Sequence, residues 1–345
     1  MKCLIVNKRN AEKAKKYLLK QRLLNKGYKV FSRKSFIYFP ILDGAENNEG
    51  IKRFGAIGEA KFEKSVARID YKAELERILG EGVASKGYDL LGNIAIIDAE
   101  PKVAKKIGKL ILSLNKNVET VLRKKSAVKG RYRKREYAYV LGKRNYVAHY
   151  KENGSIFEFD VRKVFFSPRL AYERQRIASL VRENEHVMVM FAGVGPFAIE
   201  IAKKAPTAKV VAIELNRYAY KYMLKNIELN KVKNVEAVLG DVKTLSKKYK
   251  GFADRIVMPL PKESYHFLDS AYLVAKKKAI VHYYTFVDRG NTSEAEEKIK
   301  KFFKKYGTRI EILDKRMVRP YSAHEIEMVV DFLIIKARQR AKNAK

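Results

Sequence analysis

The chain has 345 residues, 47% of them hydrophobic, which suffices for two or three domains with substantial cores and excludes a disordered basic tail. Its 74 Lys and Arg residues outnumber 38 Asp and Glu, and the formal net charge of +36 is typical of a protein that binds a polyanion such as nucleic acid. The single cysteine, Cys3, excludes an intramolecular disulfide, and the His and Cys residues are too scattered for a zinc site, so no metal is expected.

Residues 1–68 are predicted to form a small α/β domain. Short apolar runs at residues 4–6 and 36–39 indicate strands, and the spacing of apolar residues predicts a helix from Asn10 through Leu24. Residues 43–58, rich in Gly, Asn and Glu, are predicted to be loop. The domain is too small for a cofactor site, so it is either a packing appendage or an arm that contacts RNA.

Residues 69–165 are predicted to form a second, basic α/β domain with helices at 72–79 and 101–114 and a strand at 94–98. Eight of the thirteen residues from 123 to 135 are Lys or Arg, and tyrosines alternate through and beyond this run. Such a run is often only a solvated face. Basic residues interleaved with aromatics also suit phosphate contact and base stacking, and the total charge favours this RNA-contacting interpretation.

A hairpin is predicted over residues 147–159, because Asn153 and Gly154 form a turn dipeptide between two strand-like runs. It leads into a helix that ends near Leu180. Arg169 and Glu173 lie four residues apart, on one face of that helix. They form either an ordinary surface ion pair or a catalytic arrangement, in which the carboxylate takes a proton from a base beside a fixed guanidinium.

Residues 166–345 carry the pattern of a nucleotide-binding α/β sheet. An apolar strand at 187–190 turns through Gly193 and Gly195 into a helix, and glycines at this turn let the backbone approach a ligand. The next two strands end at Glu214 and Asp241, where an open parallel sheet binds its ligand. Glu214 and Asp241 could instead be polar residues that only make the strand ends soluble and bind no ligand.

The strand ends favour S-adenosylmethionine over NAD as the nucleoside cofactor. Glu214 is placed to accept hydrogen bonds from ribose hydroxyls, and Asp241 suits an adenine amino group. S-adenosylmethionine has no phosphate and carries a cationic sulfonium, so an acidic rim is tolerable. Further strands at 254–258, 279–286, 310–313 and 327–335 complete the predicted fold: an α/β, class I Rossmann-like methyltransferase domain with a seven-stranded, mostly parallel sheet, preceded by two smaller α/β domains.

Several motifs together resemble the archaeal tRNA (guanine-37-N1)-methyltransferase family over nearly the whole chain. They are FFSPRLAYER at 165–174, MFAGVGPF at 190–197, ELN at 214–216, GD at 240–241, LPK at 260–262 and HYY at 282–284. The resemblance implies methyl transfer from S-adenosylmethionine to N1 of guanosine 37 in tRNA. It also implies that residues 1–68 bind the tRNA elbow and that the second domain joins the anticodon contact.

The resemblance also implies roles for individual residues. Glu173 would be the general base, Arg169 would orient the target, and Arg133, with Arg135 as the alternative, would neutralise charge near the guanine O6 or a phosphate. The residues implied to bind the cofactor are Phe191, Gly193, Gly195, Glu214, Leu215, Asp241, Val242 and Pro259. Those implied to bind the substrate are Arg135, Phe165, Pro261, Lys262 and Tyr283.

Two positions depart from the family pattern. Pro259 stands where the family usually has an Asn whose amide orients the purine, and Val189 replaces an acidic residue that often ends the first strand. Pro259 resembles the subtype that also methylates C7 of 4-demethylwyosine in tRNA-Phe, giving isowyosine. The alternatives are a guanosine-only N1-methyltransferase, an aminocarboxypropyl transferase of the wyosine pathway, and a non-catalytic tRNA-binding protein.

Two further expectations concern the protein as a whole. Nothing in the sequence suggests an obligate dimer, so a monomer is expected. The start of the chain lacks the apolar core of a signal peptide, and no apolar run approaches the roughly 18 residues of a membrane span. We therefore expect a cytoplasmic protein that does not enter a membrane.

Overall fold

The computed structural model describes residues 1–64, 71–79, 87–126, 130 and 135–336. The chain divides into two compact units, Met1–Arg77 and Ile78–Lys345. In the described ranges, no helix has both the length and the apolar character needed to cross a membrane.

The first unit contains a four-stranded antiparallel sheet with two helices. Its elements are β1 (Lys2–Asn7), α1 (Ala11–Lys20), β2 (Phe31–Arg33), β3 (Phe36–Pro40), α2 (Glu49–Lys52) and β4 (Gly55–Glu59), and the strand order is β2, β3, β1, β4. Helix α1 buries Ala14 and Leu18. It ends earlier than predicted, because the chain turns after Lys20 and Leu24 pairs with Ile41.

The prediction of loop for residues 43–58 is wrong, because this stretch contains α2 and most of β4. Strand β4 pairs with β1, and at Gly55 the two backbones come very close. A Cβ there would lie 2.0 Å from the carbonyl oxygen of Ile5. Glycine at this position therefore permits strand pairing instead of marking a loop.

Helix α3 (Tyr71–Leu79) runs across the boundary of the two units, and a small mixed sheet follows it. The elements of this sheet are β5 (Asp89–Leu91), β6 (Ile94–Ile97), α4 (Pro101–Leu114), β7 (Thr120–Lys124) and β8 (Tyr137–Gly142). The strands lie in sequence order, and only β6 and β7 are parallel. Helix α4 has the predicted bounds and begins with Pro101, a favoured residue for the first helical turn.

The predicted hairpin is confirmed as β9 (Val147–Glu152) and β10 (Ser155–Asp160). Asn153 and Gly154 have φ of 46° and 73°, the left-handed values that a two-residue turn of this kind requires. Phe159 is fully buried and stacks on Phe166 with 4.6 Å between ring centroids. This contact anchors the segment that leads into the next helix.

The largest part of the second unit is a seven-stranded sheet with helices on both faces, as predicted. Its strands are β11 (His186–Met190), β12 (Lys209–Glu214), β13 (Val235–Leu239), β14 (Ala253–Met258), β15 (Ala275–Asp288), β16 (Arg309–Pro320) and β17 (Glu325–Ile335). Its helices are α5 (Ala171–Leu180), α6 (Pro196–Lys204), α7 (Arg217–Leu229), α8 (Val242–Leu245), α9 (Leu268–Val274) and α10 (Glu294–Lys304). The strand order is β13, β12, β11, β14, β15, β17, β16. Strand β17 runs antiparallel to the other six strands.

Strand β11 is apolar from Val187 to Met190 because both of its faces are covered there. Met188 and Met190 belong to one core layer, and Val187 and Val189 belong to the layer on the opposite face, which includes Ile177 of α5. Val189 is fully buried, so this position of the chain contributes packing. The strand order reverses between β11 and β14, and open sheets of this type bind ligands at that reversal.

Candidate active site

A pocket lies at the carboxyl ends of β11 to β14, and seven of the eight predicted cofactor-binding residues line it. These are Phe191, Gly193, Glu214, Leu215, Asp241, Val242 and Pro259. The eighth, Gly195, is not in the pocket wall. It precedes α6 with φ of 91°, and a Cβ there would lie 3.0 Å from Cγ of Met223. Gly195 therefore lets α6 pack closely against α7.

The turn after β11 is shaped by left-handed residues. Phe191 and Gly193 have φ of 56° and 59°. A Cβ on Gly193 would meet no heavy atom within 4 Å, and since Gly193 lines the pocket, this is room for a ligand. Phe191 packs edge-on against Phe267, with 4.7 Å between the ring centroids, which gives the pocket an aromatic wall.

Glu214 ties the ends of β11 and β12 together. Its carboxylate accepts hydrogen bonds from the backbone N–H of Gly193 and of Asn216, each at 2.7 Å. Burial raises the pKa of Glu214, and the hydrogen bonds from Asn216 and Gly193 oppose that rise. Each carboxylate oxygen has a second lone pair, so the group can also accept hydrogen bonds from two ribose hydroxyls. The residues present therefore fit a nucleoside.

The other wall of the pocket comes from the ends of β13 and β14. Asp241 caps α8 by accepting a hydrogen bond from the backbone N–H of Lys243 at 2.8 Å. After β14, Ser264 donates to the carbonyl of Met258 at 3.0 Å and holds the turn that contains Pro259 and Pro261. Pro259 lines the pocket, and proline has neither a side-chain amide nor a backbone N–H to donate to a ligand.

A second, more polar cleft adjoins the pocket. Phe165, Glu263 and Arg319 line both spaces, so the pocket and the cleft are directly adjacent and share these side chains. Two predicted residues, Arg135 and Lys262, also line it. Arg133 lies outside the described residues. The cleft therefore brings cations from the basic domain and from the large sheet to the mouth of the pocket.

Arg169 also lines the cleft, but it does not pair with Glu173, the arrangement considered from their spacing. Its guanidinium bonds instead to Asp89 of β5, with Nη2 at 2.8 Å from Oδ1. Lys124 lies 3.6 Å from the same carboxylate. The spacing of four residues was compatible with an Arg169–Glu173 pair. Arg169 instead contacts Asp89, which is 80 residues away in the sequence.

Glu173 is 3% exposed, and it is absent from the described walls of the pocket and the cleft. Its carboxylate accepts hydrogen bonds from Arg176, at 2.6 Å from Nη2 and 3.0 Å from Nε, and from the Tyr284 hydroxyl at 2.7 Å. Burial holds the pKa of Tyr284 well above its usual value, so the hydroxyl remains a donor. The carboxylate of Glu173, the predicted general base, is therefore held in one orientation by Arg176 and Tyr284.

A chain of buried charges extends from Arg176. The guanidinium bonds to Asp331 at 2.6 Å, Asp331 lies 2.7 Å from Nδ1 of His282, and Nε2 of His282 lies 2.9 Å from Arg255. Burial lowers the pKa of His282. For Asp331 burial alone would raise the pKa, but the bonds to His282 and Arg176 lower it to about 2. The sequence analysis missed Arg176 and Asp331, although Arg176 is three residues after Glu173.

The remaining predicted substrate residues lie in a neighbouring groove. Pro261, Lys262 and Tyr283 line it together with Lys298 and Tyr321. Pro261 and Lys262 connect this groove to the pocket and the cleft, respectively. In the described ranges, no group of three or more His, Cys, Asp or Glu residues suits a metal ion.

Three family domains match consecutive parts of the chain. The tRNA methyltransferase 5 N-terminal domain matches residues 3–49, the TYW2 N-terminal domain matches residues 72–145, and the TRM5/TYW2 methyltransferase domain matches residues 148–313.

Two characterised relatives are similar over most of their length. The tRNA (guanine(37)-N(1))-methyltransferase Trm5b of Pyrococcus abyssi is 35% identical over 94% of this chain and 97% of the relative. The tRNA (guanine(37)-N(1))/4-demethylwyosine(37)-methyltransferase Taw22 of Nanoarchaeum equitans is 30% identical over 73% of this chain and 97% of the relative.

Solved structures of similar proteins contain the two kinds of ligand that the site suggests. A complex of aTrm5 with tRNALeu has a TM-score of 0.70 and 32% identity, and covers 97% of this chain and 99% of that one. TYW2 of Methanocaldococcus jannaschii in complex with AdoMet has a TM-score of 0.59 and 28% identity, and covers 73% of this chain and 100% of that one.

Proposed function

Because the chain belongs to the TRM5/TYW2 methyltransferase family, as its resemblance predicted, we propose that it transfers a methyl group from S-adenosylmethionine to N1 of guanosine 37 in tRNA. The observation that carries this proposal is a pocket at the carboxyl ends of the parallel strands that lies directly beside a cationic cleft, with Phe165, Glu263 and Arg319 in both walls. A cofactor held in the pocket then faces a nucleotide that enters from the cleft.

The pocket residues account for cofactor binding. Glu214 accepts hydrogen bonds from the ribose, Asp241 accepts from the adenine amino group, and Gly193 leaves room for the chain of the cofactor. When bound, S-adenosylmethionine supplies an electrophilic methyl group on a sulfonium. The pocket residues would hold the cofactor in one orientation beside the cleft, and such alignment is a large part of the catalysis of a transfer reaction.

The target base must leave the anticodon stack to reach the pocket. Arg135, Arg169 and Lys262 in the cleft can hold the phosphates on either side of it. Phe165 offers an aromatic face that offsets part of the lost stacking, which is worth roughly 1–3 kcal/mol per base. The cleft therefore suits an extruded purine nucleotide.

N1 of guanine carries a proton and is a weak nucleophile at neutral pH, so the reaction needs a base. We propose Glu173, whose carboxylate Arg176 and Tyr284 hold in one orientation. Glu173 would accept the N1 proton, which would leave N1 nucleophilic toward the methyl group that bound S-adenosylmethionine would supply. Arg133, or as the alternative Arg135, would stabilise charge that develops on the guanine O6, as the resemblance implies.

A second substrate is proposed from Pro259. An Asn at this position would orient the purine by its amide, whereas Pro259 leaves an apolar surface that tolerates a tricyclic base. The relative from Nanoarchaeum equitans is named for action on both guanosine and 4-demethylwyosine. We therefore infer that the chain also methylates C7 of 4-demethylwyosine in tRNA-Phe, with loss of the C7 proton.

The test is methyl transfer from labelled S-adenosylmethionine into two tRNA-Phe samples, one with unmodified guanosine 37 and one with 4-demethylwyosine, followed by nucleoside mass analysis. Methylated product from both samples supports the two activities. Product from guanosine alone rejects the C7 activity and its link to Pro259. An aminocarboxypropyl adduct, or tight tRNA binding with no product, overturns the N1-methyltransferase proposal in favour of the alternative transferase or a binding protein.

The wider organisation is also proposed. Residues 1–68 would bind the tRNA elbow, residues 69–165 would contact the anticodon region, and residues 166–345 would carry out transfer. We expect the protein to be cytoplasmic and monomeric. Sedimentation of the purified protein with and without tRNA would test the monomeric state.

A further inference from the structure

Arg319 and Glu327 form an ion pair where the pocket meets the cleft. Arg319 and Glu327 are partners in the antiparallel register of β16 and β17, and Nε of Arg319 lies 2.6 Å from Oε2 of Glu327. Both side chains line the cofactor pocket, and Arg319 also lines the cleft. The pair therefore lies at the boundary between the cleft and the cofactor pocket.

The local backbone is irregular at this point. The register of β16 against β17 shifts between Met317 and Arg319, so one extra residue is accommodated on β16. Bulges of this kind re-aim a side chain, and they are common beside active sites. The shift is what aligns Arg319 with Glu327.

The pair is also unusual in its burial. Glu327 is 1% exposed, and the neighbouring lining residues Phe165, Leu260 and Pro261 are apolar. Apolar residues of similar size would serve the fold about as well as a buried ion pair. The two charges are therefore better explained by a polar ligand than by stability.

The chemistry of the pair matches one edge of guanine. That edge presents the O6 acceptor and the exocyclic amino donor, which a guanidinium and a carboxylate complement. Among the described lining residues of the pocket, Arg319 is the one cation, and the carboxylates are Glu214, Asp241, Glu263 and Glu327. Glu214 and Asp241 are assigned to the cofactor, and Glu327 is the carboxylate that Arg319 contacts, at 2.6 Å. Pro259 in the same pocket supplies no amide, so Arg319 and Glu327 are the groups proposed to orient the base.

We propose that Glu327 accepts a hydrogen bond from the exocyclic amino group of the target guanine, while Arg319 orients that carboxylate and donates to O6. The pair would thus be a specificity-determining element, an inference that rests on the proposed N1-methyltransferase activity. In 4-demethylwyosine the exocyclic nitrogen is part of the third ring, so the amino group that Glu327 reads is lost. Glu327 therefore favours guanosine over the tricyclic base, and Pro259 offsets this preference by leaving space.

The decisive substrate is tRNA-Phe with inosine 37, because inosine lacks the amino group but retains N1–H and O6. The ratio of kcat/KM for guanosine over inosine is measured for the wild type, Glu327→Ala, Glu327→Gln and a control, Glu311→Ala. Glu311 lies on the exposed face of β16. A hydrogen bond to a charged group is worth about 1.5–3 kcal/mol, so the wild type should prefer guanosine by roughly 10- to 100-fold.

We expect this preference to fall to within about threefold of unity in Glu327→Ala and to an intermediate value in Glu327→Gln, with the control unchanged. If Glu327→Ala does not fold, the guanosine-to-inosine ratio of kcat/KM measured for Glu327→Gln is the test of the proposal. A variant that loses activity equally on both substrates overturns the proposal, since Glu327 is then structural. A wild type that methylates guanosine and inosine equally also overturns it. Failure of the wild type to methylate guanosine at all is a different result, which rejects the proposed function itself.

Discussion

Replacement of Glu173 by Gln tests the assignment of the general base. The structure predicts that the fold survives, because Arg176 keeps its bond to Asp331 and the Tyr284 hydroxyl can donate to the amide oxygen. One charge-assisted hydrogen-bonded pair is weakened, which should cost about 1–3 kcal/mol of unfolding free energy. Loss of a general base typically lowers the rate by 10²- to 10⁴-fold, so methyl transfer should fall by about 10²-fold or more.

The assay is single-turnover methyl transfer into tRNA, with tRNA affinity and the melting temperature measured on the same preparations. Glu228→Gln is the matched control, since Glu228 is exposed on α7 and the charge change is identical. We expect tRNA affinity within about threefold of the wild type in both variants. The reasoning is refuted if Glu173→Gln retains most of the rate, or if rate and tRNA affinity fall equally, which would make Glu173 structural.

Three other changes probe the cofactor site and the buried charges. Glu214→Ala should weaken S-adenosylmethionine binding by roughly 10-fold or more in a titration, because hydrogen bonds to a charged group are lost, while tRNA affinity should not change. Asp331 has a pKa of about 2 in the fold against an ordinary 3.8, so its contribution of about 2 kcal/mol is present above pH 4 and is lost as the pH falls toward 2. Asp331→Asn should remove this acid-dependent part of the unfolding free energy in denaturant titrations. Glu200 is buried on α6, 3.8 Å from the guanidinium of Arg174. Burial raises the pKa of Glu200 to about 8, so the wild type loses stability as the pH rises from 4.5 through 8, and Glu200→Gln should raise the melting temperature more at pH 9 than at pH 6.

The sequence predicted best those features that depend on local pattern. Buried parallel strands are continuous apolar runs, and the ends of β11 and β12 were therefore placed to within a residue. The half-buried edge strand β13 was placed as well, by its short apolar run before Gly240. Since the carboxyl ends of such strands meet at one edge, Gly193, Glu214 and Asp241 could be assigned to one pocket from their positions in the sequence.

The failures concern contacts between residues far apart in the chain. Arg169 bonds to Asp89, and Tyr284 bonds to Glu173 across 111 residues, neither of which helical spacing can show. The pair of Arg319 and Glu327 depends on the register of two long strands and on a bulge. Strand β4 was missed because its glycines, needed where it approaches β1, have the composition of a loop.

The charges of the site fall into two groups with different physical roles. The buried group, from Glu173 through Arg176 and Asp331 to His282, is bonded throughout and hidden from solvent, so salt screens it little. The cleft cations, including the 59% exposed side chain of Arg169, face solvent and lie where phosphates would bind. Because exposed charges are screened within about 8–10 Å at moderate ionic strength, added salt acts on tRNA capture. The proposed proton acceptor, Glu173, is held by Arg176 of α5 and Tyr284 of β15, so the rate at saturating tRNA should depend on salt far less than the affinity does.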